Sequence, residues 1–468
     1  MRMALLMLMP AAALAIYDMK WLDASRWRCP SCNDGRWGID YSVQPSGAGG
    51  SWPYPWLNKY VFGAGPWVGC VVGSDTLVSQ GYNTNSGGTE LTPTDVAHLE
   101  EGSGSPDDRI YLFPGDWPPL GDRFPYAPQE PLSDQDLWYV CCDMASENHV
   151  APGKPIGFDL TLTGYTFTDS SCGDMLFLRY GLTNRSSGPM RSVLFGLVID
   201  GDVGDEQDDL AGLILDREFG VGPDTIAVTN TGFIYDYDNV EMQNGDGQWE
   251  SGTPGAVAVR LLSAPGEMGL SSFRVLRRGD DPLTDVDQYL TLAGYDFSTR
   301  EYSPYDSMDV VPADKRFVMS CGPFDLDSDS TAVFYYALIG SPHGDWVEIG
   351  PKHDTLELAV RCSLAYRIFR DRLARVGSHT SGRRVEVSIA PNPFSRAMPL
   401  GLTSKGDAPI SATVFDVNGR QVKHLPRGSH LSWDGQDCAG HVVPAGIYFV
   451  HVRQGKLIQV HKVLFSGE

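Results

Sequence analysis

The chain has 468 residues, 42% of them hydrophobic and 20% charged, with a formal charge of −23 and a pI near 4.7. That length leaves room for two to four packed domains, and the balance of apolar and charged residues is that of globular rather than disordered protein. The acidity argues against a nucleic-acid binder, which needs a basic face to neutralise phosphates, and disfavours attraction to anionic lipid.

Residues 1–15 predict a signal peptide. Arg2 supplies a positive charge, Met3 to Leu14 is apolar apart from Pro10, and Ala13-Leu14-Ala15 is a small-x-small cleavage pattern. The mature chain would begin at Ile16 and be secreted or displayed at the cell surface. No later stretch reaches the roughly 18 uninterrupted apolar residues of a membrane-spanning helix, so no transmembrane segment is expected. The nine cysteines are an odd number, which leaves at least one unpaired in a monomer. For Cys29-Pro-Ser-Cys32 a zinc knuckle would need a second ligand pair, and a redox pair would need a βαβ setting. A structural bridge suits an oxidising compartment better.

Residues 16–150 read as an irregular region rich in Gly, Pro and aromatics, packed on the body. Within it, Tyr60 to Ser79 predicts two short strands joined by a Gly-Ser-Asp turn. Seven prolines between 104 and 131 exclude a helix there. Trp27, Trp37, Trp52, Tyr54, Trp56, Tyr60 and Trp67 suit either a sugar-stacking face or internal packing, and packing is the favoured reading.

Residues 151–376 read as a β-rich body ending in a helix. Strands are predicted at 156–168, 175–183, 193–199, 256–262, 316–320 and 331–339. Turn-rich segments separate them, which favours an antiparallel sandwich over a parallel sheet. Between Thr355 and Val376, Leu356, Val360, Leu364 and Ile368 recur every four residues and predict one amphipathic helix, with Asp354 as N-cap and Gly377 as stop. A polar linker, 377–384, follows. Residues 378–468 carry a net charge of +4 against −27 for the remainder, which marks an independent module. The whole is predicted to be mainly β: an antiparallel β-sandwich body with one amphipathic helix, followed by a small β-sandwich.

The densest candidate chemistry is Asp200, Asp202, Asp205, Asp208 and Asp209, at the end of an apolar strand. Five aspartates within ten residues repel one another, and a divalent cation would relieve them. Calcium takes six to eight oxygens, and aspartate with backbone carbonyl groups supplies them. The spacing is not that of an EF-hand, and a solvated acidic turn is the other reading. Asp236-Tyr-Asp238 would add oxygens if the chain reversed, but turn chemistry is the favoured reading. Asp325-Leu-Asp-Ser-Asp329 suits a hairpin connection. Gly63 to Gly69 is not a dinucleotide loop, since Pro66 interrupts it and no helix follows. No G-x-S-x-G, H-E-x-x-H or P-loop occurs, so no catalytic residue is assigned. His343 and His353 read as turn and helix-cap residues, and Asn184-Arg-Ser186 fits a glycosylation sequon.

The C-terminal segment contains Ala390-Pro-Asn-Pro-Phe394, Val414-Phe-Asp-Val-Asn-Gly-Arg420 and Leu431-Ser-Trp-Asp-Gly435, then Ala445-Gly-Ile-Tyr-Phe449. It resembles the immunoglobulin-like module of the flagellar hook-assembly protein and, equally, the C-terminal sorting domains of bacterial type IX secretion cargo. The resemblance covers 385–468 and implies an immunoglobulin-like β-sandwich that serves as a sorting tag or scaffold and engages the secretion machinery. The body, in Phe62 to Gly69, Ser133 to Asp136, Asp200 to Asp205 and Cys321 to Phe324, is similar to secreted bacterial proteins that carry such tails. The expected function is that of an exported, non-enzymatic extracellular or cell-surface protein with a structural or adhesive role and contact to cell surface or polysaccharide. The alternatives are a secreted hydrolase acting on peptide or polysaccharide, whose tail is a tag, or a carbohydrate-binding protein.

Overall fold

The computed structural model describes residues 17–43, 45–93, 106–121, 123–124, 126–149, 153–238, 249–307, 309–342, 356–374, 387–404, 409–415, 421–454 and 457–467. The predicted leader, the linker, both helix caps, His343 and His353 lie outside these residues. The chain divides into two compact units, Met1–Gly377 and Ser378–Glu468.

The first unit is built on two antiparallel sheets. Its strands are β1 (Gly63–Val72), β2 (Asp75–Gln80), β3 (Gln135–Cys142), β4 (Phe158–Thr166), β5 (Met175–Asn184) and β6 (Met190–Gly201). They continue with β7 (Asp209–Val221), β8 (Asp224–Asp236), β9 (Ala256–Ser263), β10 (Ser272–Arg277), β11 (Lys315–Leu326) and β12 (Thr331–Ser341). A nine-stranded sheet runs β3-β4-β5-β12-β9-β8-β7, with Tyr111–Phe113 and Thr92–Pro93 both beside β3. A five-stranded sheet runs β10-β11-β6-β1-β2. Their facing sides share one core, where Phe195 of β6 stacks on Phe334 of β12 at 4.1 Å and meets Tyr180 of β5 at 5.5 Å.

Both outer faces are covered as well. Helix α1 (Asp285–Leu292) packs over the five-stranded sheet on Trp67, Leu194 and Val198. Helix α2 (Leu356–Ile368) packs over the larger sheet on residues such as Phe177, Ala258 and Ile339. This explains why β5 and β12 read as near-continuous apolar runs, since alternate residues enter different cores and both are dry. Helix α1 approaches closely because the strands beneath it carry glycine. A Cβ on Gly196 would lie 2.3 Å from Leu292 Cδ2, and one on Gly69 would lie 3.0 Å from Leu292 and Tyr289.

Several expectations need correction. Strands β1, β2 and β3, all before residue 150, belong to the two sheets rather than merely resting on them. Helix α1 is a second helix that the sequence did not announce. On α2 the buried residues are Leu358, Ala359, Cys362, Ala365 and Ile368, so of the predicted repeat only Ile368 is buried. A four-residue step overshoots a full turn by roughly 40°, so such a repeat drifts around the helix. The Asp325–Asp329 segment links β11 to β12, which lie in different sheets, so it is a crossover and not a hairpin. There Arg191 pairs with Asp325 and Arg185 with Asp329.

No disulfide forms: all nine cysteines are free, and all but Cys438 are buried. Cys29 and Cys32 lie on one short strand, where residues three apart face opposite sides. The Asn184 of the sequon is fully buried, and its amide donates to the carbonyls of Gly188 and Leu326. Trp27, Trp37, Trp52, Tyr60 and Trp67 are core residues, and Tyr54 and Trp56 are exposed.

The second unit holds a three-stranded sheet and a four-stranded sheet. The first consists of β13 (Val387–Ala390), β14 (Leu400–Ser404) and β17 (His430–Trp433), in that order. The second runs β16 (Gln421–Gly428), β15 (Ile410–Phe415), β18 (Gly446–Gln454) and β19 (Leu457–Phe465). Its core is its own: Trp433 lies 5.1 Å from Phe394 and 5.1 Å from Tyr448, and Phe394 lies 5.0 Å from Phe465. Gly435 has φ +77°, and a Cβ there would strike the Phe465 ring at 2.3 Å. Asn418-Gly419, a dipeptide that favours a hairpin turn, lies outside the described residues, and β15 and β16 on either side of it are antiparallel partners.

Candidate metal centre

The acidic run after β6 divides between two places. Strand β6 ends at Gly201, the chain turns, and β7 starts at Asp209. Asp200 therefore belongs to the five-stranded sheet and Asp209 to the nine-stranded one. The five carboxylates do not converge on one point.

The first place gathers Asp200, Asp202 and Asp314. All three are buried, and they offer ligand atoms within 4.8 Å of one another. Asp314 immediately precedes β11, and the antiparallel register sets Asp200 opposite Arg316. Arg316 Nε lies 3.2 Å from Asp200 Oδ2, and its Nη1 lies 3.2 Å from Asp314 Oδ1. The Tyr82 hydroxyl donates to the same Asp200 Oδ2. Asp200 Oδ1 is buried and accepts no hydrogen bond. Burial is the largest cause of the upward shift of the Asp200 carboxyl; Arg316 opposes it, and Asp314 and then the buried Asp281 add to it. Asp202 is pushed well above the ordinary carboxylate range by burial and then by Asp200.

The second place gathers Asp208, Asp236 and Asp238, again within 4.8 Å. The β7–β8 hairpin produces it by placing Asp209 opposite Asp236. Burial, and then Asp236 and Asp238, push Asp208 up to about 7. Asp209 stands between the two places. Its Oδ2 accepts from the Val203 N–H at 3.1 Å, its Oδ1 has no hydrogen-bond partner, and it feels Asp202, Asp236 and Asp208. Asp205 is exposed and closes the turn, with its Oδ1 accepting from the Gln207 N–H.

Of the five aspartates singled out in the sequence, Asp200 and Asp202 fall in the first group, Asp208 in the second, and Asp205 and Asp209 in neither; Asp314, more than a hundred positions away, was not among them. Only the pairing of β6 with β11 brings it near, and no local signal announces that register. Asp236 and Asp238, for which turn chemistry is the favoured sequence reading, are brought beside Asp208 by the chain reversal.

A buried His149 forms a separate polar knot. One ring nitrogen lies 2.8 Å from the Asp143 carbonyl and the other 3.8 Å from Glu90. The Asp143 carboxylate accepts from Ser79 and from the N–H groups of Ile156, Gly157 and Phe158. That carboxylate is saturated by a strand start, so the group is structural and not a serine–histidine catalytic pair.

No family model matches the chain, and no curated protein does. Among solved structures it is similar to a polysaccharide lyase, at 9% identity over 97% of this chain and 46% of that one, with a TM-score of 0.27. It is also similar to a lysyl oxidase of Pichia pastoris, at 10% identity over 60% and 48%, with a TM-score of 0.26. A third is PorZ, a surface component of the type IX secretion system of Porphyromonas gingivalis, at 10% identity over 70% and 43%, with a TM-score of 0.15. The chain spans less than half the length of each of these structures. At these scores none of them defines a shared fold. Among the described residues no helix is long and apolar enough to cross a membrane.

Proposed function

We propose that this chain is an exported extracellular or cell-surface protein in which an acidic β-sandwich body is carried by an immunoglobulin-like sorting module, and that its role is structural or adhesive. One observation carries the reading. Residues Ser378–Glu468 form a compact unit with its own core, and that core includes the motif residues Phe394, Trp433 and Tyr448. A tag must keep its shape whatever cargo precedes it, and a closed core of this kind provides that. The export-leader composition of residues 2–15 and the opposite charge of the two parts support the same reading.

The test is a fusion of residues 378–468 behind a signal peptide and a reporter, in a bacterium that has type IX secretion. Surface or medium recovery of the reporter is expected. Replacing Trp433 by Ala in the fusion should abolish it, since losing a fully buried tryptophan costs about 3–5 kcal/mol. Retention of the unaltered fusion in the periplasm would refute the sorting role.

A further inference from the structure

Buried charge has to balance. Asp200, Asp202 and Asp314 bring three carboxylates into the interior, with Asp281 buried nearby; Arg316 is the buried cation set against them, and the exposed Arg278 reaches Asp314 Oδ2 at 3.5 Å. An uncompensated ion in a protein interior costs several kcal/mol, so a residual negative charge there calls for a cation or for protons.

The hydrogen bonding around Asp200 is one-sided. Oδ2 accepts a hydrogen bond from the Tyr82 hydroxyl and lies 3.2 Å from Arg316 Nε in an ion pair, and Oδ1, equally buried, receives no hydrogen bond. Asp202, only 4% exposed, takes no side-chain hydrogen bond or ion pair from the described residues. An acceptor left bare beside a second bare carboxylate is the arrangement that a cation between them completes. Arg316 holds Asp200 and Asp314 by one oxygen each, which fixes their orientation. That is how groups outside a coordination sphere commonly steer the ligands inside it.

We propose that Asp200, Asp202 and Asp314 hold one divalent cation, and that Arg316 and Tyr82 are positioning residues that orient Asp200 toward it. All three side-chain ligands are carboxylates at or beside strand ends, and an all-oxygen set selects a hard cation. Calcium, which accepts irregular oxygen sets, fits better than magnesium, which demands a near-ideal octahedron. The cation ties the end of β6 to the start of β11 and so locks two central strands of the five-stranded sheet.

The test uses the full chain, stripped with chelator and titrated with terbium alone and with calcium alone. Terbium at this site sits beside Tyr82, so excitation of the aromatic rings should give terbium emission that excess calcium displaces. Asp202→Asn should abolish the emission and the calcium-dependent rise in melting temperature. This variant removes a buried negative charge, so in chelator it should melt at or above the unaltered chain. Asp238→Asn should leave the emission intact. Absence of emission, emission that survives Asp202→Asn, or emission lost only with Asp238→Asn would each overturn the proposal, the last by placing the cation at the other carboxylate group.

Discussion

Around Asp200, Asp202, Asp208 and Asp209 the interior favours protons, because burial and mutual repulsion disfavour the charged forms. The consequence for stability has a definite sign. In the unfolded chain these carboxyls lose their protons near pH 4. In the folded protein they keep them to higher pH, Asp208 to about 7. Between those values the native state binds more protons than the unfolded state, so stability falls as pH rises through that window. In chelator, the melting temperature should therefore decline from about pH 4 to about pH 7, and a flat profile would show that these groups do not titrate as their surroundings dictate. Added calcium should flatten the decline, because a cation favours the ionised carboxylates.

The cysteines allow a second test at the same scale. Burial pushes the thiols of Cys29, Cys70, Cys321 and Cys362 up to about 12, and the thiolate is the reactive species. Cys438 is the exposed thiol. A thiol reagent should modify one cysteine per native chain and all nine after denaturation. Fewer than nine in the denatured chain would reveal a disulfide. The bridge expected at Cys29 and Cys32 followed from the compartment, and the local backbone overrules it. The acidic run was legible as a cluster of like charges, but its division in two was not, because the turn from β6 to β7 sends its two ends into different sheets.

Helix α1 shows where element-level reading stops. Asp285–Leu292 is short, and its buried positions, Gln288, Thr291 and Leu292, are not an apolar stripe. What keeps it in place is the smooth floor beneath it, made by Gly69 and Gly196 on adjacent strands. Thr284 caps it, its hydroxyl accepting from the Asp287 N–H. Gly196→Ala would force Leu292 aside, and overpacking of this kind typically costs about 1–3 kcal/mol. The expected result is a lower denaturation midpoint with preserved sheet content, together with faster protease cleavage within 283–294. An unchanged midpoint would mean that the helix does not rest on that glycine. Most strands of the body were readable because each is an apolar run between turn residues. The β7–β8 hairpin was not, because residues 216–218 and 222–225 are largely exposed and polar.

At the scale of the molecule, the mainly antiparallel β architecture and the separate tail follow from composition, turn spacing and the charge difference between the two parts. The pairing of distant strands does not follow from them. The register of β6 with β11 and β1 depends on which apolar faces fit together, and that is a property of the whole core rather than of any window of sequence. The same holds for the candidate site: the residues contiguous in sequence were found, and Asp314, delivered by topology, was not.

The five-stranded sheet carries one more implication. Its members come from residues 63–80, 190–201, 272–277 and 315–326. Its central strand, β6, stays unpaired along one edge until β11 has emerged from the ribosome, some 115–125 residues later. Contacts so distant along the chain are slow to form, because the intervening loop entropy must be overcome first. A polypeptide that cannot close this sheet until most of it has been synthesised stays open along that edge for much of its early life.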